Sequence, residues 1–124
     1  MNPKQIAATL ALTLSASTFV APPAGAHHVT RAQLEQMVAD TFGPAAPTFR
    51  RIIACESSWD HRATHRNRNG TVDYGLLQLN SGGTLQSLGI TPRQALDPLT
   101  NLRAAKRLYD RRGTRPWVCS RGRR

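Results

Sequence analysis

The N-terminal segment limits how much of this chain can contribute to a folded core. A single positive charge and an apolar stretch from Ile6 to about Val20 precede Ala24-Gly25-Ala26, an order typical of a secretory signal peptide. The stretch is shorter than the roughly 20 residues that a membrane-spanning helix needs. We therefore predict a signal peptide over residues 1–26, cleaved after Ala26, and one small domain over residues 27–124; the alternative is a retained anchor.

Positive charge dominates the composition and restricts the partners. The sequence has 17 Lys and Arg against 7 Asp and Glu, a formal net charge of +10. Only Lys4 is lost with the predicted leader, so the mature chain carries 16 minus 7, or +9. Such a charge favours an anionic partner. Charge alone does not choose among nucleic acid, membrane lipid and anionic cell-wall polymers, and export argues against nucleic acid. We also expect no membrane contact after cleavage, and a monomer.

Two cysteines and four histidines bear on cross-links and metals. Cys55 and Cys119 form an even pair in a chain predicted to reach an oxidising compartment, which predicts a disulfide; two buried free thiols are the alternative. His61 and His65 lie four residues apart in a predicted loop without a third ligand, and His27-His28 lie at a frayed terminus. We predict no metal site and no cofactor.

Two helices are predicted in the first half of the mature chain. Thr30 and Gln33 form a capping box before apolar residues at helical spacing, which predicts a helix over residues 31–41 that ends at Gly43-Pro44. A second helix is expected to start at about residue 47 or 48.

Glu56 follows the apolar face of that second helix. Phe49, Ile52 and Ile53 lie at spacings i, i+3 and i+4, and Glu56 falls at i+7. A carboxylate on an apolar face is unusual unless it is paired or its ionisation is tuned. The alternative is a Glu at a frayed helix end that turns to solvent.

A different pattern follows Trp59. Asn69-Gly70 indicates a tight hairpin turn, and Thr71 to Tyr74 alternate as in a strand. Asp73 is then expected on the face opposite Val72 and Tyr74. A hairpin in a chain that is otherwise helical predicts an α+β fold.

The last third of the chain is predicted to be helical again. Thr91-Pro92 combines an N-cap with Pro at the first helical position. Another helix is expected from about Leu99 until shortly before Gly113.

The segment from Glu56 to Ser81, ESSWDHRATHRNRNGTVDYGLLQLNS, closely resembles the active-site region of c-type lysozymes. The match is nearly gapless and includes NxxG and DYG; elsewhere it thins to Ala105-Lys106 and Pro116-Trp117-Val118. The run GLLQ is also similar to lytic transglycosylases of the soluble-lytic type, which belong to the same superfamily. The resemblance implies a small lysozyme-like fold over residues 27–124, mainly α-helical with a short β-hairpin beside the active-site cleft.

The same resemblance implies two catalytic carboxylates. Glu56 matches the general acid at the end of a helix, and Asp73 matches the carboxylate that faces it from a hairpin. Lysozyme is the type case of such a pair in unlike surroundings. Trp117 resembles the tryptophan that walls the acid, so desolvation is expected to favour the protonated form of Glu56.

The remaining site residues are implied in the same way. Asn67, Thr71 and Asn80 are near Asp73 in the motif, and their amide or hydroxyl donors are expected to keep its carboxylate ionised. Gln78 and Asn80 resemble positions that line the sugar cleft, although support for the hairpin is the alternative for Gln78. If the cysteines pair, their bond ties Glu56 to Trp117; neither cysteine matches a bridge of the animal lysozymes.

The resemblance therefore implies that the protein is a secreted, peptidoglycan-cleaving glycosidase. Lysozyme-type hydrolysis would cut the β-1,4 bond between N-acetylmuramic acid and N-acetylglucosamine. The alternative is a lytic transglycosylase, which leaves 1,6-anhydromuramic ends. A second alternative is a cationic wall-binding protein without turnover.

Overall fold

The computed structural model describes residue 18 and residues 28–122. The predicted signal peptide thus lies, apart from residue 18, outside the described residues. Among those described, no helix combines the length and the apolar character needed to cross a membrane. The order of elements from residue 31 onwards is α+β, as predicted.

The first two helices form where capping and apolar spacing predict them. Helix α1, Arg31–Phe42, has the predicted capping box: the Thr30 hydroxyl accepts from the Gln33 amide, and the Gln33 side chain accepts from the Thr30 amide. A 3-10 helix, Gly43–Ala45, leads directly into helix α2, Ala46–Ser57. The break between α1 and α2 is therefore one tight turn, and α2 begins slightly before the predicted residue.

A small antiparallel sheet follows α2. Its strands are β1, Thr64–Arg66, β2, Val72–Tyr74, and β3, Leu79–Asn80, in the order β1-β2-β3. The predicted hairpin joins β1 to β2, with Gly70 at a φ of 83° in the loop; positive φ has little steric cost for glycine. The third strand was not predicted.

The rest of the chain is helical. Helix α3 is Thr84–Leu88, α4 is Pro92–Ala95 and α5 is Pro98–Arg112. A capping box at Thr91 starts α4, and the Asp97 side chain caps α5. A second 3-10 helix, Val118–Arg121, lies against α2.

The core is centred on Phe49 of α2. Its ring stacks on Phe42 at 3.8 Å between centroids and meets Tyr109 and Trp117 edge-on at 5.0 and 5.3 Å. Aromatic pairs with these geometries add about 0.5–1.5 kcal/mol each beyond the apolar area they bury. The cluster joins α1, α2, α5 and the C-terminal segment, and it therefore fixes α2, the helix that carries Glu56, in the core.

The predicted disulfide is present. Cys55, in the last turn of α2, is bonded to Cys119 in the second 3-10 helix, with 5.9 Å between their Cα atoms. The bond spans 64 positions of the sequence. It attaches the C-terminal segment to the helix turn that carries Glu56.

Candidate active site

One cleft of about 540 Å³ lies between the end of α2, the sheet and the C-terminal segment. Glu56, Asp73, Asn67, Gln78, Asn80 and Trp117, the predicted catalytic and substrate-binding residues, all line it. The other lining residues are Cys55, His65, Leu79, Thr84, Leu108, Pro116 and Val118. The fold therefore brings together side chains that are far apart in the sequence.

Glu56 occupies the apolar side of the cleft. It is half-buried in the last turn of α2, on the face that carries the buried Phe49, Ile52 and Ile53. The backbone N–H of Cys119 donates to its Oε1 over a long 3.5 Å. The disulfide keeps that N–H close to the carboxyl, since Cys55 directly precedes Glu56.

Trp117 forms a rigid wall beside the acid. The side chain is 97% buried, and its indole N–H donates to the carbonyl of Leu77 at 2.9 Å. Its edge-on contact with Phe49 fixes the ring from the α2 side. Because both ends are fixed, Trp117 can offer an apolar surface to the cleft without rearranging.

Asp73 occupies a polar position on β2. Asn67 Nδ2 donates to its Oδ2 at 3.0 Å, and Asn80 Nδ2 donates to its Oδ1 at 2.6 Å. Thr71 Oγ1 accepts from the same two amides, at 3.2 and 2.9 Å, and donates its own proton to Asn69 Oδ1 at 2.7 Å. The Thr71 hydroxyl, expected as a donor to Asp73, therefore donates to Asn69 instead, and the two asparagine amides hold both oxygens of Asp73 in place.

Gly82 fixes which way the Asn80 amide faces. The Gly82 N–H donates to Asn80 Oδ1 at 2.6 Å, so the NH₂ group must turn toward Asp73 and Thr71. A Cβ at Gly82 would lie 2.6 Å from Thr71 Cγ2 and 2.7 Å from Asn80 Oδ1. The contact therefore requires a glycine, and sequence analysis did not identify this role.

Gln78 lines the cleft but uses its amide nitrogen internally. Nε2 donates to the carbonyls of Ala63 and Gly75 at 3.2 and 2.9 Å. Its backbone has a φ of 47°, an uncommon value for a residue with a side chain. These bonds close the corner after β2, which is the supporting role considered for Gln78.

A buried asparagine on α5 anchors that corner and was missed. Asn101 has no exposed surface; its Oδ1 accepts from the Leu77 N–H, and its Nδ2 donates to the carbonyls of Tyr74 and Ala95. A Cβ at Gly75 would collide with Ala95 O and Asn101 Nδ2. The only signal in the sequence was a polar residue on the apolar face of a predicted helix.

The histidines lie in separate places. His61 is half-buried, with Nδ1 3.2 Å from the Leu96 carbonyl, whereas His65 is exposed and lines the cleft. Within the part of the chain that the structure describes, no three His, Cys, Asp or Glu side chains form a group that could hold a metal ion. Sequence analysis gave His65 no place in the site.

Comparison with known proteins identifies the family of the chain. Residues 33–116 match the family model of the transglycosylase SLT domain. Lysozyme C II of Oncorhynchus mykiss is 34% identical, over 61% of this chain and 61% of that protein. Lysozyme C of Ortalis vetula is 36% identical, over 51% of this chain and 58% of that protein.

The chain therefore belongs to the transglycosylase SLT domain family, within the lysozyme-like superfamily. It spans about three fifths of the length of the two lysozymes that it matches.

Proposed function

We propose that this protein is a glycosidase that cleaves the glycan strands of peptidoglycan between N-acetylmuramic acid and N-acetylglucosamine. The observation that carries the proposal is a pair of carboxylates in unlike surroundings on one cleft. Glu56 lies on an apolar helix face, and Asp73 lies between two amide donors. The family match and the two lysozymes support the same class of enzyme.

Glu56 is proposed as the general acid. A glycosidic oxygen is a poor leaving group until it is protonated. A carboxyl that is half-buried on an apolar face holds its proton more readily than one in water, and Trp117 shields that side of the cleft. After the bond breaks, the same carboxylate can take a proton from the incoming nucleophile.

Asp73 is proposed as the group that stabilises the positive charge on the sugar ring. That charge develops as the leaving group departs, and a fixed carboxylate stabilises it by acting as nucleophile or as counter-charge. The Asn67 and Asn80 amides orient the carboxylate, and within residues 28–122 no cationic side chain forms an ion pair with it. We infer lysozyme-type hydrolysis, with water as the nucleophile, because each oxygen of Asp73 is held by an amide donor.

Lytic transglycosylation is the second candidate, and the match to the transglycosylase SLT domain favours it. In that reaction a hydroxyl of the muramic residue replaces water, and the product ends in a 1,6-anhydro sugar. The route needs an acid that becomes a base, a role open to Glu56. It does not require a second carboxylate.

We further propose that the protein acts outside the cytoplasm after its leader is removed. The Cys55–Cys119 disulfide is consistent with an oxidising compartment. The high positive charge would hold the enzyme near an anionic cell wall.

The sugar ends released from purified peptidoglycan distinguish the two reactions. Mass spectrometry of the soluble products is expected to show reducing muramic ends if water is the nucleophile. Products with 1,6-anhydro ends would instead establish a transglycosylase and remove the hydrolytic role of Asp73.

Replacing Asp73 with Asn tests that role independently. The amide keeps the size of the side chain and removes its charge, so a hydrolase is expected to lose roughly 100-fold or more in rate, the scale of losing a group that stabilises transition-state charge. The rate of fragment release per folded molecule measures it. An unchanged rate would show that Asp73 takes no part in catalysis.

A further inference from the structure

The charge of the cleft differs from that of the whole protein. The sequence carries a net charge of +10, yet no Lys or Arg is among the described residues that line the cleft. Glu56 and Asp73 are the acidic lining residues. Among the described lining residues, His65 is the one whose side chain can become positively charged.

The sheet register places His65 beside Asp73. The two residues are Cα partners in the antiparallel β1–β2 pair, and side chains of directly opposed residues project from the same face. Arg66 pairs with Val72 and projects from the other face. His65 therefore lies on the cleft face, next to the carboxylate proposed to act on the sugar.

Within the described residues, His65 forms no ion pair with the Asp73 carboxylate. Both oxygens of Asp73 accept from asparagine amides, and within residues 28–122 no ion pair joins His65 to a carboxylate. The side chain is exposed, in contrast to His61, which lies against the Leu96 carbonyl. The imidazole thus faces the space through which a glycan strand would pass.

We propose that His65, when protonated, binds a carboxylate carried by the glycan substrate. The inference rests on the proposed function, because it names a contact within the same cleft. Muramic acid carries a lactyl carboxylate when it is free of peptide, and its stem peptide carries others. The Asp73 carboxylate repels such groups, and a protonated His65 beside it supplies a positive charge that attracts one.

The contact depends on pH in a defined direction. An imidazole changes its charge between about pH 5 and 8, whereas the substrate carboxylates stay ionised throughout that range. Among the described residues, Asp73 on β2 lies directly opposite His65, Glu56 at the end of α2 lines the same cleft, and Arg66 lies on the opposite face of β1. Selectivity for an acidic over a neutral glycan is therefore expected at the acidic end of the range.

Binding measurements on the Glu56→Gln protein test this without cleavage of the ligand. Three probes are compared at pH 5.5 and pH 8: a neutral N-acetylglucosamine oligomer, a peptide-free muramic oligosaccharide and a muramic oligosaccharide with its stem peptide. The ratio of affinities, acidic over neutral probe, is expected to be roughly two- to fivefold higher at pH 5.5, the scale of an exposed ion pair.

Two further variants in the same background assign the effect. His65→Asn is expected to remove the pH dependence of that ratio, and His28→Asn, which changes an exposed histidine outside the cleft, is expected to keep it. A gain with the peptide-free probe identifies the lactyl carboxylate as the ligand, and a gain only with the peptide-bearing probe identifies the stem.

Two results would contradict the inference in different ways. If the His65→Asn protein keeps the full pH-dependent preference, His65 does not bind the carboxylate and the proposed function stands. If none of the three probes binds to the Glu56→Gln protein, the proposed function fails and this inference fails with it.

Discussion

Removing the disulfide by the double substitution Cys55→Ala and Cys119→Ala is expected to destabilise the fold strongly. The bond closes a loop of 64 positions, and the loop-entropy relation assigns a closure of that length about 4 kcal/mol. For a domain of this size each kcal/mol lowers the melting temperature by roughly 4–8 °C, so a fall of about 15–30 °C is expected. The small core makes such a loss a large share of the total stability.

Urea unfolding of the oxidised wild-type protein and of the double variant measures the difference directly. The reduced wild-type protein is the matched control and should resemble the variant. Without the disulfide, the C-terminal segment is still held by the contacts of Trp117 with Leu77 and Phe49. A difference below about 1 kcal/mol would refute the reasoning, since the loop-entropy relation would then not describe this bond.

Two single substitutions test the supports of the site. Asn101→Ala leaves the Leu77 N–H and two carbonyls without their buried partner. The free energy of unfolding, measured by urea denaturation, is expected to fall by roughly 3 kcal/mol. A loss below about 1 kcal/mol would show that other contacts hold the corner after β2. Gly82→Ala should displace the Asn80 amide from Asp73. The cleavage rate per folded molecule is expected to fall about tenfold, the scale of one hydrogen bond to a charged group. An unchanged rate would mean that the amide does not need that orientation.

Helix starts were predictable because their signals are local. The capping box at Thr30 and the N-cap with Pro at Thr91-Pro92 each lie within a few consecutive residues, and both are present. The start of the long α5 was predicted from apolar spacing to within about one residue, and the helix ends before Gly113, as expected. In these cases the sequence window that carries the signal also contains the interaction.

Features that depend on distant partners were not predictable. Strand β3 has two residues and exists because Asn80 and Leu79 pair with β2. Asn101 binds the Leu77 amide from 24 positions away, and Gly82 matters through its fit against Thr71. Residue spacing alone does not indicate which of these groups meet.

The site itself was predicted through resemblance to a family and not through spacing. The physical pattern placed Glu56 on an apolar helix face and Asp73 on a strand, and the structure places both on one cleft. That the two side chains line the same cleft follows from the tertiary fold and cannot be deduced from their spacing in the sequence. His65 was overlooked because a histidine in a polar segment has no distinguishing local signal, and only the register with Asp73 reveals its position.

The measurement that tests the central claim most directly is the release of soluble fragments from purified peptidoglycan by the wild-type and Glu56→Gln proteins. Glu35→Gln is the matched control, because Glu35 lies on α1 in an exposed pair with Arg31. The account predicts that Glu56→Gln abolishes release and that Glu35→Gln keeps the wild-type rate. Release at the wild-type rate by folded Glu56→Gln protein, or none by the wild-type protein, would contradict it; the latter result would favour a wall-binding protein without turnover.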